Sequence, residues 1–533
     1  MGRYNQFQAA ELLFFFLLLL PTISYALLGR ESFFLKCLDH HSNPQYPTSE
    51  VTYSQHNTSF PSIFQAYARN IRFLQPETRK PSFIITPKHV SNIAATIHCC
   101  KTHFLEMRIR GGGHDMEGLS FTSSMDQFVI LDMFNLRAIN VNIEEETAWV
   151  EAGAQLGEVY YRIAEKSPVH GFPGGVCPTV GVAGHFTGGG YGNLMRKYGL
   201  ATDNIIDAIV MNAHGKVLNR EKMGEDFFWA LRGGGAASFG VVLAFKLKLV
   251  RVPPAVTVFQ VARSLEQGAS RTVYKWQEVA PNLPKEIFLR ARVSVIKDQN
   301  EGQNKLAITF IGMFLGESKD LVNLLAKSLP ELELSGKDCK EMPWINSTLF
   351  WDGIPSGTSI DVLLSREYER LSRKVKSDYV KKPIPEAGLE LMWKELLEMD
   401  GLVMEWNPYG GRMSEIPSDE IAVYHRAENL FKIEYDFKWH KEGKEAEQHH
   451  VELSRRLYNF MSPYVSMSPR EAFFNYRDLD IGTNPGRFKK TTAAFGEKYY
   501  GDNFRRLLKV KLEVDPENFF RNEQSIPPLI NLI

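Results

Sequence analysis

Cysteine is scarce: five occur in 533 residues, an odd number that leaves at least one outside any intramolecular disulfide. No Cys-x-x-Cys and no His-Glu-x-x-His occurs, so the common zinc arrangements are excluded and no metal is expected. Neither sign of charge is in excess, with 62 Lys plus Arg against 62 Asp plus Glu. An electrostatic nucleic-acid surface therefore has no support. Long apolar runs are missing beyond Leu12 to Leu20, and that run is too short to span a bilayer. With Arg3 before it and Ser24-Tyr25-Ala26 after it, the stretch reads as a secretory leader over 1–26. Phosphate-binding fingerprints are missing too. Gly-x-Gly-x-x-Gly fails at its last position in all three glycine clusters, where Met116, Asn193 and Ser238 stand, and neither a P-loop nor a Gly-x-Ser-x-Gly elbow is found.

What is abundant is glycine, concentrated in two stretches. Phe172 to Gly192 holds glycine too often for a regular helix or strand to persist, yet Val176, Val180, Val182, Phe186 and Tyr191 are packing residues that a linker would not carry. Backbone of this kind wraps a large flat or phosphate-bearing molecule. Cys177 sits at its centre. A second glycine turn, Gly111 to Gly118, carries His114. A histidine and a cysteine among such glycines are two nucleophiles able to bond an electrophilic ring.

The 44% hydrophobic content supports more than one core in a chain of this length. Strands are predicted at 83–85, 107–110, 129–132, 147–151, 203–211 and 241–249, with helices from Val90, over 156–165 and from Asp226. Val252-Pro-Pro254 marks a boundary. Beyond it, alternating strands such as 288–295 and 431–439 predict a sheet with one face under helices and the other on a cavity or solvent. Glycine and aromatic chemistry returns from Asn475. The class is α+β, divided as 27–252, a second domain over 253–471, and a C-terminal part, 472–533, completing the first. Cys37 with Cys99 or Cys100 would tie down the N-terminal segment. Sequons at Asn57 and Asn346 fit a secretory, extracellular or vacuolar address.

Arg110-Gly-Gly-Gly-His114-Asp-Met-Glu-Gly118, the stretch through Cys177, and Asn475-Tyr-Arg-Asp-Leu-Asp480 resemble the plant berberine bridge enzyme-like family of the vanillyl-alcohol-oxidase superfamily, which also holds the cannabinoid synthases. The resemblance runs from about Cys37 to Pro528. It implies an FAD domain split in sequence around a substrate domain whose antiparallel sheet, covered by helices, roofs the flavin. It implies FAD attached twice, through His114 and Cys177, and a flavin seat drawn from Arg110, Gly111, Gly112, Gly113, Thr179, Val180, Gly181, Gly184, His185, Gly189, Tyr191 and Asn475. Val180 matches the small gatekeeper that admits dioxygen. Glu434 resembles the catalytic glutamate, and Tyr476 the tyrosine base of the cannabinoid synthases. Lys432, on the same strand face as Glu434, is expected to keep that carboxylate ionised.

Met116, Arg292, Tyr409 and Lys432 are substrate candidates, while Arg290 and Arg292 on their putative strand suit solvent exposure at least as well. Gly111 and Gly112 stand where many members have Ser-Gly, Met116 replaces an aromatic, and Ala183 replaces a glycine. A benzylisoquinoline substrate is therefore not assumed. The expected function is a secreted oxidase taking hydride from a phenolic, prenylated or alkaloid metabolite and passing electrons to dioxygen, as a monomer. Carbohydrate or monolignol oxidation, a flavin-scaffolded non-redox cyclase, and a flavin-binding storage or defence protein are the alternatives.

Overall fold

The computed structural model describes residues 29, 31–297, 302–484 and 493–528; the leader over 1–26 lies outside them. Among the described residues no helix is long and apolar enough to cross a membrane.

The first part of the chain builds two small sheets. Phe83–Ile85, Phe128–Asp132 and Glu106–Arg110 run parallel, with Thr52–Ser54 antiparallel at the edge. Parallel strands need crossovers, and the helix Val90–Thr102 carries the chain from Phe83–Ile85 to Glu106–Arg110, which flank Phe128–Asp132. Of the apolar positions at helical spacing, Ile93 and Ile97 are buried, and Val90 and Ala94 pack half-buried beside them. Cys37, in a helix over 31–40, is bonded to Cys99 on this crossover helix. Cys100 points inward as a buried free thiol, so the choice between the adjacent cysteines falls on Cys99. The second sheet orders Ile139–Asn142, Thr147–Glu151, Val241–Lys248, Ile205–Met211 and Val217–Leu218, all antiparallel. The strand read from Asp203 starts at Ile205, because 201–204 forms a 3-10 turn.

Seven antiparallel strands form the third sheet: Cys339–Met342, Val256–Arg263, Asn304–Phe314, Ile287–Lys297, Leu402–Pro408, Phe431–Trp439 and Ser372–Val380 in spatial order. Side chains alternate across a strand, and here the alternation is sharp. Leu289, Ala291, Val293, Met404, Trp406, Ile433, Tyr435 and Phe437 face a core shared with the helices Ala269–Val279, Glu386–Leu396 and Lys444–Met461. Arg290, Arg292, Glu405, Glu434 and Asp436 take the other face, over a cavity. The chain then returns: Phe473, Phe474, Phe495, Leu507 and Phe520 pack into the same core as Val182, Phe186 and Phe239. Asn57 is exposed on a turn, and Asn346 is half-buried in the helix Trp344–Trp351.

Candidate functional site

The two glycine stretches meet backbone to backbone. A Cβ on Gly112 would lie 2.3 Å from the Gly181 nitrogen, and one on Gly181 would lie 2.2 Å from the Gly112 nitrogen. Such separations leave room for hydrogen only. This contact brings the turn after Glu106–Arg110 against the cysteine loop. His114 Nε2 and Cys177 Sγ consequently share one partner, the Thr179 hydroxyl, at 2.9 and 3.5 Å. The Tyr368 ring stands edge-on to His114, with centroids 4.7 Å apart. Burial, reinforced by Arg69 and Arg373, holds the His114 imidazole well below its ordinary range, so it is neutral. Burial and the charge of Asp352 push the Cys177 thiol up.

Across the cavity stands the polar face of the seven-stranded sheet. Register places Glu405 opposite both Arg292 and Glu434. Arg290 reaches the Glu405 carboxylate at 2.6 Å and Arg292 does so at 2.5 Å, and these guanidinium groups hold Glu405 down near about 2 against its burial. Among the described residues no guanidinium pairs directly with Glu434, and the Tyr476 hydroxyl and the charge of Arg373 offset its burial only in part. Burial first, then the charges of Glu405 and Asp436, raise it to about 7. Two carboxylates facing one another cannot both be comfortably ionised, and the arginines have settled which one is.

Lys432 does not keep Glu434 ionised. Its ammonium nitrogen is fully buried, has no hydrogen-bond partner, and lies 3.2 Å from the Tyr191 ring centroid and 3.6 Å from that of Phe473. Burial drives it well below the usual lysine range, and its nitrogen sits in an aromatic cage. The cage also orders the phenols, since Tyr191 and Tyr476 share a hydrogen bond of 2.5 Å. Burial, with the charge of Glu434, raises the Tyr476 hydroxyl well above its ordinary range.

Most of these groups line one cavity of about 600 Å³. It gathers Gly111, Gly112, Gly113, His114, Met116, Cys177, Val180, Gly181, Gly184, His185, Tyr191, Arg292, Glu434, Asn475 and Tyr476. Thr179, Gly189 and Lys432 stand behind that wall. Asn475 acts on the loop itself, accepting the Gly190 N–H at 2.9 Å and donating to the Gly184 carbonyl at 3.1 Å. Arg110 faces away, fully buried and committed to Asp132 at 2.7 Å and to the carbonyls of Phe64 and Ile63. Tyr409 is also outside, its hydroxyl 3.1 Å from that of Tyr379. Arg290 is not solvent-exposed; it is buried beside Asn407. Asp352, Tyr368 and Arg373 line the cavity although nothing in their local sequence announces it. Only the strand pairing and the connection before Ser372–Val380 carry them there.

The donor set fits an FAD. Beyond the nucleophiles the cavity wall holds buried polar atoms with no protein partner: Arg108 Nε and Nη1, Ser120 Oγ and His185 Nε2. The Ser120 hydroxyl and His185 imidazole beside glycine backbone suit the hydroxyl and phosphate oxygens of such a cofactor. His185, held near about 3 by burial, is neutral and offers imidazole rather than imidazolium to such a group.

Comparison with known proteins agrees with this chemistry. Residues 81–220 match a family model described as an FAD binding domain, and residues 472–527 match one described as berberine and berberine like. Berberine bridge enzyme-like 14 of Arabidopsis thaliana is 49% identical over 517 residues, covering 96% of this chain and 97% of that protein. The solved structure of berberine bridge enzyme-like 28 from the same plant superposes with a TM-score of 0.87 at 40% identity, over 93% of this chain and 99% of that one. Phl p 4, a grass pollen allergen with glucose dehydrogenase activity, gives a TM-score of 0.87 at 40% identity over 93% and 100%. A form of Phl p 4 with one isoleucine changed to valine is described as a glucose oxidase.

Proposed function

This chain belongs to the berberine bridge enzyme-like family of FAD-dependent oxidoreductases, and from that premise we propose that it is an oxidase of small hydroxyl-bearing metabolites that returns electrons to dioxygen as hydrogen peroxide. One observation carries the reading: Glu434 and Tyr476 stand on the wall of the cavity that holds His114 and Cys177. Bound FAD supplies a two-electron acceptor for hydride. The chain supplies the rest. Glu434, with a pKa of about 7, is matched to accepting a substrate proton near neutral pH. Tyr476 and Tyr191 present hydroxyls to the same region, and the caged Lys432 fixes their rings. His114 and Cys177 would each bond the flavin, anchoring it by the two loops that Gly112 and Gly181 join. The first domain, 27–252 with 472–533, holds the cofactor, and 253–471 forms the roof. The Cys37–Cys99 disulfide suits the secretory pathway.

Two substrate classes remain in view, phenolic, prenylated or alkaloid metabolites and carbohydrates. Arg292, Glu405, Glu434, Asp436 and Lys438 on the roof favour the hydroxyl-rich class, since hydroxyls can join the Arg292–Glu405 and Lys438–Asp436 ion pairs whereas an apolar tail would only desolvate them. The deciding experiment follows the flavin spectrum of the purified protein under anaerobic conditions with sugars, monolignols and alkaloids, then measures peroxide in air. Bleaching by glucose or an oligosaccharide is expected. Product formed without bleaching would replace oxidation by a non-redox cyclisation.

Cys177→Ala should retain the fold and, through His114, a flavin that survives denaturing precipitation, but should reduce more slowly. A variant losing all flavin, or none of its rate, contradicts the assignment. Val180 lines the cavity. Val180→Ile should slow reoxidation by dioxygen while the anaerobic reduction rate stays near that of the parent, and double-mixing stopped-flow separates the two steps. Equal reoxidation rates would remove Val180 as the gate.

A further inference from the structure

We propose that Thr179 is a positioning residue that sets the protonation of both flavin-bonding nucleophiles, readying His114 and Cys177 together; the inference rests on the two-link reading above. Among the described residues, Thr179 is the side chain hydrogen-bonded to both, 2.9 Å from His114 Nε2 and 3.5 Å from Cys177 Sγ. It is 3% exposed, so water does not substitute for it.

A hydroxyl has one proton to give and two lone pairs to receive, which leaves two arrangements. Turned toward His114, the hydroxyl donates to Nε2, which places the imidazole proton on Nδ1, while the thiol donates to Oγ1. Neither residue is then a nucleophile. Turned toward Cys177, the hydroxyl donates to sulfur and accepts the Nε2 proton. The lone pair now sits on Nδ1, and the sulfur gains a donor that stabilises its thiolate, the form that attacks carbon. One rotation of one hydroxyl therefore readies both groups. Burial opposes charge on either, since it lowers His114 and raises Cys177, so a specific donor is needed where solvent cannot act. Each link replaces an N–H or S–H and a flavin C–H by an N–C or S–C bond. The two protons and two electrons released pass to dioxygen, forming hydrogen peroxide.

The test is peptide mass spectrometry on full-length protein purified with its cofactor. The parent should yield His114 and Cys177 peptides joined through FAD. Thr179→Val keeps the shape and removes the hydroxyl; the ratio of unlinked to linked Cys177, read by alkylation of the free thiol, should rise about tenfold or more, the scale set by losing a hydrogen bond to a charged group. Thr179→Ser should restore the linkage. Thr179→Ala is carried alongside, so that a poor fit of valine does not decide the result. If the parent itself carries no link, the two-link reading falls and this inference with it. If the parent is doubly linked and the Val and Ala variants are equally so, Thr179 alone is overturned. Loss of linkage in the Ser variant as well would assign Thr179 a packing role and equally overturn the proposal.

Discussion

Glu434→Gln should lower the rate constant of anaerobic flavin reduction by roughly 10²–10⁴, the usual contribution of a positioned general base. Below pH 7 the parent rate should rise about tenfold per pH unit and level off above, because Glu434 accepts a proton only when ionised and its pKa lies at about 7. The amide cannot titrate, so the variant profile should be flat over this range. Stability runs the other way. The carboxyl pKa is raised in the fold above its unfolded value, so the native state holds a proton that the unfolded chain has lost between roughly pH 4.3 and 7. Stability from this group is therefore present at low pH and lost as pH rises through about 7. Glutamine lacks this liability, and Glu434→Gln should equal or exceed the parent in denaturant midpoint above pH 7. A slower enzyme that is no less stable cannot be explained by unfolding. Parent-like reduction in the variant, or an unchanged limb below pH 7, would move the base to Tyr476, and Tyr476→Phe in the same assay would then show the loss.

Much of this arrangement was legible in the sequence because glycine is a local signal. Gly112 and Gly181 are required by a contact of backbone with backbone, and no other residue type leaves that space, so the loops announce themselves in one dimension. The alternating strands are similarly readable, and Phe431–Trp439 stands where the pattern puts it. What was not legible depends on pairing between distant segments. Glu405 lies opposite Glu434 only through the register of Leu402–Pro408 on Phe431–Trp439, and that register lifts Glu434 while two arginines from Ile287–Lys297 hold Glu405 down. Arg290 looks like a surface residue by type, but its partner Glu405 is supplied from more than a hundred residues away, and the pair allows burial. Arg110 fails in the opposite direction. It adjoins the flavin loop in sequence, yet strand alternation turns it away to Asp132 on the neighbouring parallel strand. Proximity along the chain placed it at the site; the pleat removed it.

Lys432→Met should stabilise the protein by at least about 1 kcal/mol at pH 7 while lowering the rate of flavin reduction roughly ten- to a hundredfold. The two effects have one origin. A buried amine without a hydrogen-bond partner costs about 1–3 kcal/mol, and Lys432 is such a group, enclosed by Tyr191, Phe473 and Tyr476. Methionine fills a similar volume without a polar atom. The competing effect is cation–π attraction, worth about 2 kcal/mol or more for a desolvated ammonium, but it requires the charged form, which burial disfavours here. The pH dependence separates the two cases. A lysine whose pKa is lowered in the fold binds fewer protons native than unfolded, so the parent gains stability as pH rises toward the unfolded value of about 10.4, with a slope of up to about 1.4 kcal/mol per unit. The advantage of Lys432→Met should therefore narrow with rising pH, as measured by urea unfolding between pH 6 and 10. A charged, ring-stabilised ammonium would instead make the variant less stable at every pH below 10. The activity loss follows from the cage, because the amine at 3.2 Å from the Tyr191 ring centroid and 4.9 Å from that of Tyr476 fixes the two phenols that share a hydrogen bond at the reacting face. Lys432 and Glu434, two perturbed groups on one strand, mark the kind of site that moves a proton. A variant that is more stable yet fully active would show that Lys432 does not order the phenols, and one no more stable than the parent would overturn the cost assigned to its buried amine.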